Sequence, residues 1–371
     1  MERKLATVQT IKNLKPIENS DFLELAEFAS VGWRVVVKKG EYQVGEKVAY
    51  FEIDSFIPTT LAPFLTEGKR PKVFDDVKGS ILKTKKIRGV LSQGLVLKTE
   101  SNEPDGYDLT EELGIKKYEK AEPVTGQCKG LFPSFIPKTD QERVQSLPQE
   151  QLDEWYNSGI VFEKTLKLDG SSTTVYYKDG QVGVCSRNIE LKLYKDFENF
   201  ENKPKDIVHQ GRSNVFTGDL LTKIREVVDN IVSDSHFVKT AFRTGLIQTL
   251  QDLGKNIAIQ AEIMGPKIQN NREDFDEFKL FVYDVFDIDK QEYYGCEARI
   301  QLIESLINKG VKIGHCPVLS TKPLESNDKD ELLKLAEVKS INNPVGEGVV
   351  YKSVCGKHSF KAISNLFLLG E

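Results

Sequence analysis

The first hundred residues contain short runs in which β-branched and aromatic residues alternate with polar ones. Residues 33–54, "WRVVVKKGEYQVGEKVAYFEID", hold two such runs separated by a turn-forming stretch at 40–47. Residues 81–98, "ILKTKKIRGVLSQGLVLK", hold two more, around Gly89 and Gly94. Short strands divided by turn signals at close spacing are typical of a small barrel or sandwich. The pattern therefore predicts a β domain at the N terminus.

The remainder of the chain has a mixed pattern. Residues 160–168 predict a strand, and "TTVYYKDGQVGVCS" predicts a hairpin that turns at Asp179-Gly180. Apolar residues at helical spacing predict helices at 220–232 and 244–254. Strands return at "NIAIQAEIMG" and "KLFVYDVFDI", and a helix at "KDELLKLAEV" precedes the strands "EGVVYKS" and "HSFKAIS". The fold class predicted for the whole chain is α+β.

The composition changes between the two parts. Residues 99–125 are acidic and polar, as in "SNEPDGYD" and "KKYEKAEP", which is typical of a connection between domains. A chain of 371 residues is long enough for two domains. We predict a first domain over residues 1–115 and a second over residues 116–371.

The charge is distributed unevenly. The formal net charge is −5, so any nucleic-acid surface has to be local. Residues 80–98 provide one, because they contain Lys83, Lys85, Lys86, Arg88 and Lys98 without a single acidic residue. Lysines that protect the edge of a sheet are the alternative explanation. Beside a barrel pattern we favour a nucleic-acid surface, with salt-dependent contacts mainly to phosphates.

Composition also excludes several classes of protein. The five cysteines are widely separated and form no CxxC pair, which argues against a disulfide scaffold and a Cys-rich zinc site. The four histidines lack metal-ligand spacing, and we assign them no role. "MERKLATVQT" has no apolar signal region, and no segment reaches the length of a membrane span. We expect a cytoplasmic or otherwise intracellular protein, with Trp33 and Trp155 in its cores.

Lys167, in "LKLDGSST", is the first candidate for chemistry. An amine attacks phosphorus only when it is neutral, and an ordinary lysine has a pKa of about 10.4. Such a nucleophile needs nearby cations or a metal to favour its neutral form. Taken alone, KxDG also fits a solvated strand end followed by a turn.

Five further elements follow Lys167 along the chain. They are Ser186-Arg187-Asn188, Glu262 in an apolar strand, Tyr283 and Phe286 in "YDVFD", Glu347 before a β-branched pair, and Lys361 in a short apolar strand. Each alone has an ordinary structural explanation, because a strand-end Glu or Lys is usually solvated and a Phe is usually in the core. The ordered series is more specific than its members.

In this order the elements resemble the nucleotidyltransferase motifs of the ATP-dependent RNA ligases, over residues 138–369. They are most similar to the branch that carries an N-terminal OB domain and seals nicked duplex RNA. The resemblance implies an OB-like barrel followed by a mixed α/β, ATP-grasp-like nucleotidyltransferase domain with antiparallel sheets and flanking helices. It also implies ATP as the nucleotide, Mg²⁺ or Mn²⁺ as the metal, RNA repair as the role and a monomer as the default state.

The resemblance implies a role for each matching residue. In catalysis, Lys167 becomes adenylylated, Glu347 helps to hold the metal with its waters, and Lys361 neutralises the α-phosphate. Residues implied to bind ATP are Lys138, Arg143, Asp169, Arg187, Glu262, Phe286 and Lys361, with Tyr283 as second choice after Phe286 for stacking on adenine. The implied metal ligands are Asp169, Glu262 and Glu347. The expected RNA contacts are Lys83, Lys85, Lys86, Arg88 and Arg187.

Two positions depart from the family pattern. Relatives often carry Glu directly before the nucleophile, whereas Leu166 stands here and Glu163 lies four residues back. The last motif often holds two lysines, whereas Lys357 lies four residues upstream of Lys361.

Three alternatives remain. DNA ligases and mRNA capping guanylyltransferases usually carry an OB domain after the nucleotidyltransferase domain, and only ten residues follow Lys361. A catalytically silent RNA-binding protein is also conceivable, but all six motifs hold chemically competent residues. We therefore expect an ATP-dependent RNA ligase that joins 3′-hydroxyl and 5′-phosphate ends, in nicked duplex RNA, through a lysyl-AMP intermediate.

Overall fold

The computed structural model describes residues 3–118, 127–138, 140–195 and 232–370. The chain divides into two compact units, of which the first contains residues 1–121, 140–167 and 318–371 and the second contains residues 122–139 and 168–317. One passage from the first unit to the second follows Lys167 directly. Of the helix predicted at 220–232, residues 220–231 lie outside the described residues. The domain boundary at 115/116 stays a prediction.

Five antiparallel strands of the first unit form a barrel. In the order β10-β4-β1-β2-β3 they are β10 (Leu95–Lys98), β4 (Lys47–Phe51), β1 (Ala6–Pro16), β2 (Leu23–Phe28) and β3 (Arg34–Lys38). Gln93 N donates to Arg34 O at 2.8 Å, so the segment that leads into β10 joins the β3 edge and closes the sheet. Trp33 and Tyr50 are buried inside with their rings 6.3 Å apart. The predicted β domain is therefore present, with Trp33 in its core.

Two smaller sheets belong to the same unit. One has the order β11-β5-β7-β6 and consists of β11 (Lys116–Lys117), β5 (Ser55–Pro58), β7 (Val77–Ile81) and β6 (Lys72–Phe74). The other is a two-stranded ribbon of β8 (Lys85–Ile87) and β9 (Val90–Ser92). Arg88 and Gly89 connect the ribbon with φ angles of 50° and 84°. Positive φ at both central residues is typical of the two-residue type I′ hairpin turn.

A four-stranded antiparallel sheet completes the first unit. Its order is β21 (Val318–Pro323), β13 (Val161–Lys167), β22 (Gly348–Ser353) and β23 (Ser359–Ile363). The helices of this part are α1 (Gln149–Asn157), α5 (Lys329–Lys334) and α6 (Asn365–Leu369). Trp155, Phe162 and Phe360 are buried together beneath the sheet, as predicted for Trp155. The barrel is fastened to this part, because Trp33 Nε1 donates to Ser146 Oγ at 3.0 Å.

The second unit is built on one large sheet. Its order is β12 (Cys128–Leu131), β16 (Ile189–Leu191), β15 (Gln181–Cys185), β14 (Ser171–Lys178), β17 (Ile257–Met264), β18 (Lys279–Asp287) and β19 (Glu292–Tyr293), and β20 (Gly314–His315) pairs in parallel with β18. The helices among the described residues of this unit are α2 (His236–Arg243), α3 (Leu246–Leu253) and α4 (Cys296–Asn308). The predicted hairpin turn at Asp179-Gly180 is present, with both φ angles positive.

The two faces of this sheet differ in character. Apolar side chains such as Ile259 and Val282 pack with Leu250 and Leu306 of the helices on one face. Glu262 lies opposite Ser172 on β14 and Phe281 on β18, so these residues belong to the other face. The first face provides the larger core, whereas the second face carries Glu262 and also a small apolar cluster that contains Phe286. None of the described helices combines the length and apolar character that crossing a membrane requires.

Candidate active site

Lys167 and Glu347 meet in the first unit. Lys167 ends β13 directly opposite Gly348 on β22, and Glu347 immediately precedes that residue. This register brings Lys167 Nζ within 2.6 Å of Glu347 Oε1. Gly348 is required here, because its φ is 142° and an added Cβ would lie 2.2 Å from Ala362 O. The glycine of "EGVV" therefore allows the strand pairing that brings the nucleophile next to the carboxylate.

The Glu347 carboxylate is buried and only partly satisfied. Its side chain is 14% exposed, and Oε2 has no hydrogen-bond partner among the residues described. A buried carboxylate oxygen without a donor is unfavourable unless a cation neutralises it. This oxygen therefore fits the predicted divalent metal. Among the residues that the structure describes, no group of three His, Cys, Asp or Glu side chains is placed to hold a metal ion. The implied metal ligands Asp169, Glu262 and Glu347 therefore stay a prediction.

Lys361 lies in β23, which pairs with β22. Its side chain is 10% exposed, and its ammonium donates to Asp140 Oδ1 at 2.7 Å. Burial lowers the pKa of Lys361, Asp140 raises it, and the positive charges of Arg143 and Lys167 lower it again, which leaves a pKa of about 8. Lys357 is exposed in the turn between these strands, apart from the buried Lys361. The predicted catalytic lysine is thus mostly protonated at neutral pH and loses its charge in the mildly alkaline range.

Arg143 is buried with spare donors. Its Nη2 donates to Asp54 Oδ2 at 2.7 Å, whereas Nε and Nη1 are buried and have no partner within the described ranges. Its guanidinium also lies 5.9 Å from the centre of the Trp33 ring. Burial would raise the pKa of Asp54, but Arg143 and Arg3 hold it below its usual value. Unused guanidinium donors fit the predicted contact of Arg143 with phosphate.

The second unit carries the next part of the motif series. Asp169 is half-buried in the short connection between β13 and β14. Gly170 N donates to Glu262 Oε1 at 3.1 Å, which fixes the carboxylate on the polar face of the sheet. An added Cβ at Gly170 would lie 2.5 Å from Ile263 O and 2.8 Å from Glu262 Cγ. The glycine of "KLDG" therefore permits the close approach of this connection to β17.

The two candidate stacking rings differ in exposure. Phe286 is 3% exposed and packs edge-on against Tyr293 in a small core with Tyr176. Tyr283 is half-buried, and its hydroxyl lies 2.8 Å from Ser172 Oγ. A ring that stacks on a base needs an accessible face. Exposure thus favours Tyr283, the second choice from the sequence, over Phe286.

Comparison with known proteins agrees with this geometry. Curated proteins give no match. A family model described as RNA ligase matches residues 161–363, and a model described as an OB-fold domain matches residues 5–99. Three solved structures of the Naegleria gruberi RNA ligase are each 36% identical to this chain, with a TM-score of 0.80. The match to an apo mutant covers 99% of this chain and 97% of that chain. The corresponding shares are 99% and 98% for a mutant with AMP and Mn, and 98% and 98% for a mutant with ATP and Mn. The chain belongs to the RNA ligase family.

These matches confirm the predicted fold class and the resemblance on which it rested. The RNA ligase has an N-terminal OB barrel followed by a mixed α/β domain with antiparallel sheets and flanking helices. The match to the RNA ligase family model covers Lys167, Glu262, Glu347 and Lys361.

Lys138 and Arg187 are two further predicted residues, and both belong to the second unit of the RNA ligase. Lys138 Nζ donates to Asn188 Oδ1 at 3.1 Å. Arg187, the neighbour of Asn188, is exposed in the turn between β15 and β16. Lys138 is therefore adjacent to the motif "SRN".

The predicted RNA contacts of the barrel are exposed. Lys85, Lys86 and Arg88 belong to the β8–β9 ribbon and its turn, and Lys83 lies just before it. Arg88 adopts a φ of 50°, which is uncommon for a residue other than Gly, Asn or Asp. A long cation held at the tip of a hairpin in an unfavourable backbone conformation suggests a functional reason for its position.

Sequence reasoning missed two carboxylates of the RNA ligase site, Asp140 and Asp54. Asp140 binds Lys361, and Asp54 binds Arg143. A signal for Asp140 does exist, because it stands inside "PKTDQERVQ" between two residues predicted to contact phosphate. An acidic residue in a phosphate-binding stretch indicates a nearby cation that needs a partner.

Proposed function

We propose that this RNA ligase is ATP-dependent and seals breaks that have a 3′-hydroxyl and a 5′-phosphate, in particular nicks in duplex RNA, through a lysyl-AMP intermediate on Lys167. The observation that carries the proposal is the contact of 2.6 Å between Lys167 Nζ and Glu347 Oε1. Lys361 lies on the strand next to Glu347, so nucleophile, carboxylate and second lysine share one sheet. Phosphoryl transfer asks a protein to position reactants and neutralise charge, and this sheet offers both.

ATP and a divalent cation follow from the site and from the relatives. The Naegleria gruberi enzyme is solved with ATP and Mn, with AMP and Mn, and with PPi. Glu347 would hold Mg²⁺ or Mn²⁺ through the buried Oε2 that lacks a donor. Such a cation would supply positive charge beside the amine and the phosphate, which favours the neutral form of the amine.

The first step forms the adenylate. The neutral Lys167 amine attacks the α-phosphorus of ATP, the bond from that phosphorus to the pyrophosphate oxygen breaks, and the amine loses a proton. Glu347 positions the amine, and Lys361 stabilises the charge on the α-phosphate oxygens. The unused donors of Arg143 would bind the phosphates that leave.

Two further steps close the strand. An oxygen of the RNA 5′-phosphate attacks the phosphorus of the lysine-bound AMP, which forms an anhydride and releases Lys167. The 3′-hydroxyl oxygen then attacks the RNA phosphorus, a phosphodiester forms, and AMP leaves. Within the second unit, Glu262 would hold the ribose, and exposure supports Tyr283 as the ring beneath adenine.

The exposed cations would bind RNA. Contacts from Lys85, Lys86, Arg88 and their neighbours would go mainly to phosphates and would recognise duplex shape more than sequence. Arg187 would contact the RNA end. We also propose that the protein acts as an intracellular monomer.

A panel of nicked duplexes tests the substrate. The four duplexes carry RNA or DNA on the 3′-hydroxyl side and RNA or DNA on the 5′-phosphate side, each with the same sequence. We expect sealing when RNA supplies the 3′-hydroxyl, with a Lys167→Ala variant as the inactive control. Equal sealing of the all-DNA nick would refute the proposed RNA specificity.

A further inference from the structure

Asp140 lies beside Lys361 because of backbone pairing. Lys361 N donates to Glu142 O at 2.8 Å, and Arg143 forms a parallel bridge with Lys361, so residues 140–143 run along β23. This pairing brings Asp140 Oδ1 within 2.7 Å of Lys361 Nζ. The contact between Asp140 and Lys361 is therefore fixed by backbone pairing.

The second oxygen of Asp140 also has a partner. Lys117 Nζ, from β11, donates to Asp140 Oδ2 at 2.6 Å. The Asp140 side chain is 28% exposed and that of Lys361 is 10% exposed. A carboxylate held at both oxygens by charged donors has little freedom to turn. Lys117 thus orients Asp140 toward Lys361.

The charges around Lys361 make Asp140 important. Burial and the neighbouring cations Arg143 and Lys167 all disfavour the protonated form of Lys361, and Asp140 favours it. The pKa of Asp140 itself is held well below its usual value, because Lys361 and Lys117 outweigh the effect of burial. Arg3 also interacts with Asp140. With the pKa of Lys361 at about 8, the charge that this lysine keeps at mildly alkaline pH depends on this one carboxylate.

We propose that Asp140 is a positioning residue for adenylyl transfer, which holds Lys361 protonated and directed at the α-phosphate while Lys117 fixes the carboxylate from its other side. The inference rests on the proposed function, since it gives Lys361 its role in the first step. A buried ion pair contributes little to stability in comparison with apolar packing. A lysine kept among cations by a single carboxylate is better explained by chemistry than by folding.

The test measures the single-turnover rate of adenylate formation with ATP and Mg²⁺ between pH 6 and 9.5. Asp140→Asn lowers the pKa of Lys361, and the protonated lysine is the active form. The alkaline limb of the rate profile therefore moves to lower pH by about one unit, so the rate at pH 8.5 falls about tenfold and the rate at pH 6.5 changes less than about twofold. Asp140→Glu restores the charge and brings the limb back toward that of the wild type.

Asp75→Asn is the matched control. Asp75 forms an exposed pair of 2.7 Å with Lys116, next to Lys117, and its φ of 48° suits Asn. The control should leave rate and profile unchanged. A profile of Asp140→Asn that superimposes on the wild type overturns the inference. A uniform loss at every pH, accompanied by a lower melting temperature and no rescue by Asp140→Glu, also overturns it, because that result describes a structural residue.

The outcomes separate this inference from the proposed function. If the wild-type protein forms no adduct with ATP, the proposed function fails. If the wild-type protein forms the adduct and Asp140→Asn keeps the same alkaline limb, only the role of Asp140 fails. If Asp140→Asn folds poorly, the pH–rate profile of Asp140→Glu is used instead. A longer carboxylate that preserves the alkaline limb supports a charge-dependent role, whereas a uniform loss of rate at every pH contradicts it.

Discussion

Gly170→Ala tests whether the glycine after Lys167 is needed for close packing. An added Cβ at this position lies 2.5 Å from Ile263 O, 2.8 Å from Glu262 Cγ and 2.9 Å from Met264 Cγ. The nearest of these atoms is a backbone oxygen, which cannot swing away. The connection must retreat from β17 by about 0.9 Å to restore an ordinary contact.

Both stability and chemistry should respond to this shift. Overpacking of this kind costs about 1–3 kcal/mol of the free energy of unfolding. The retreat also stretches the hydrogen bond from Gly170 N to Glu262 Oε1, now 3.1 Å, and carries Lys167 and Asp169 with it along the chain. A displacement of about 1 Å at a reacting group can reduce the rate about a hundredfold.

Denaturant unfolding and single-turnover adenylate formation measure the two effects. Gly130→Ala is the matched control, because it lies in β12 and an added Cβ there has no atom within 4 Å. The control should stay within about 0.5 kcal/mol of the wild type and keep its rate. If Gly170→Ala behaves like Gly130→Ala in both assays, the steric argument is wrong.

Three further predictions concern the base, the core and the RNA surface. Tyr283→Ala should raise the KM for ATP about tenfold with little change in stability. Phe286→Leu should lower the free energy of unfolding by about 1 kcal/mol with little change in the KM for ATP. The opposite pattern in ATP titrations and thermal melts would assign the stacking role to Phe286. Burial lowers the pKa of Lys329 to about 8, so the unfolded chain binds more protons between pH 8 and 10.5 and stability rises with pH in that window. Lys329→Met should raise the melting temperature at pH 7 and abolish this rise, and an unchanged pH dependence would contradict the reasoning. Arg88→Gly should relieve the strain of the positive φ and stabilise the hairpin by up to about 1 kcal/mol. The same change should weaken RNA binding and reduce the slope of log K against log salt concentration by about one. Unaltered RNA binding would show that the tip of the β8–β9 ribbon does not contact RNA.

Local patterns predicted much of the fold. The alternation around Trp33 and Tyr50 and the turn at Asp179-Gly180 depend on neighbouring residues, so the barrel strands and the hairpin followed from the sequence. Glu262 was expected in an apolar strand, and it lies in β17. The series of motifs predicted the protein family, because the order of motifs along the chain can be read without a structure.

Features set by distant pairing could not be predicted. The contact between Lys167 and Glu347 joins residues 180 positions apart, and it depends on the register of β13 with β22. The burial of Phe286 follows from pairing with Ala258 in a sheet whose register shifts near Gln260, and periodicity does not reveal such a shift. Asp140 reaches Lys361 because its segment pairs with β23, and a polar stretch of sequence gives no sign of such pairing.

The most direct test of the account is the covalent adduct on Lys167. The full chain is incubated with ATP or with GTP, each labelled at the α-phosphate, together with Mg²⁺ or Mn²⁺, and the adduct is located by denaturing electrophoresis and peptide mapping. We expect label from ATP, one AMP on the peptide that contains Lys167, and no label in Lys167→Ala. Label on another residue, transfer from GTP alone, or no adduct with either nucleotide would contradict the account.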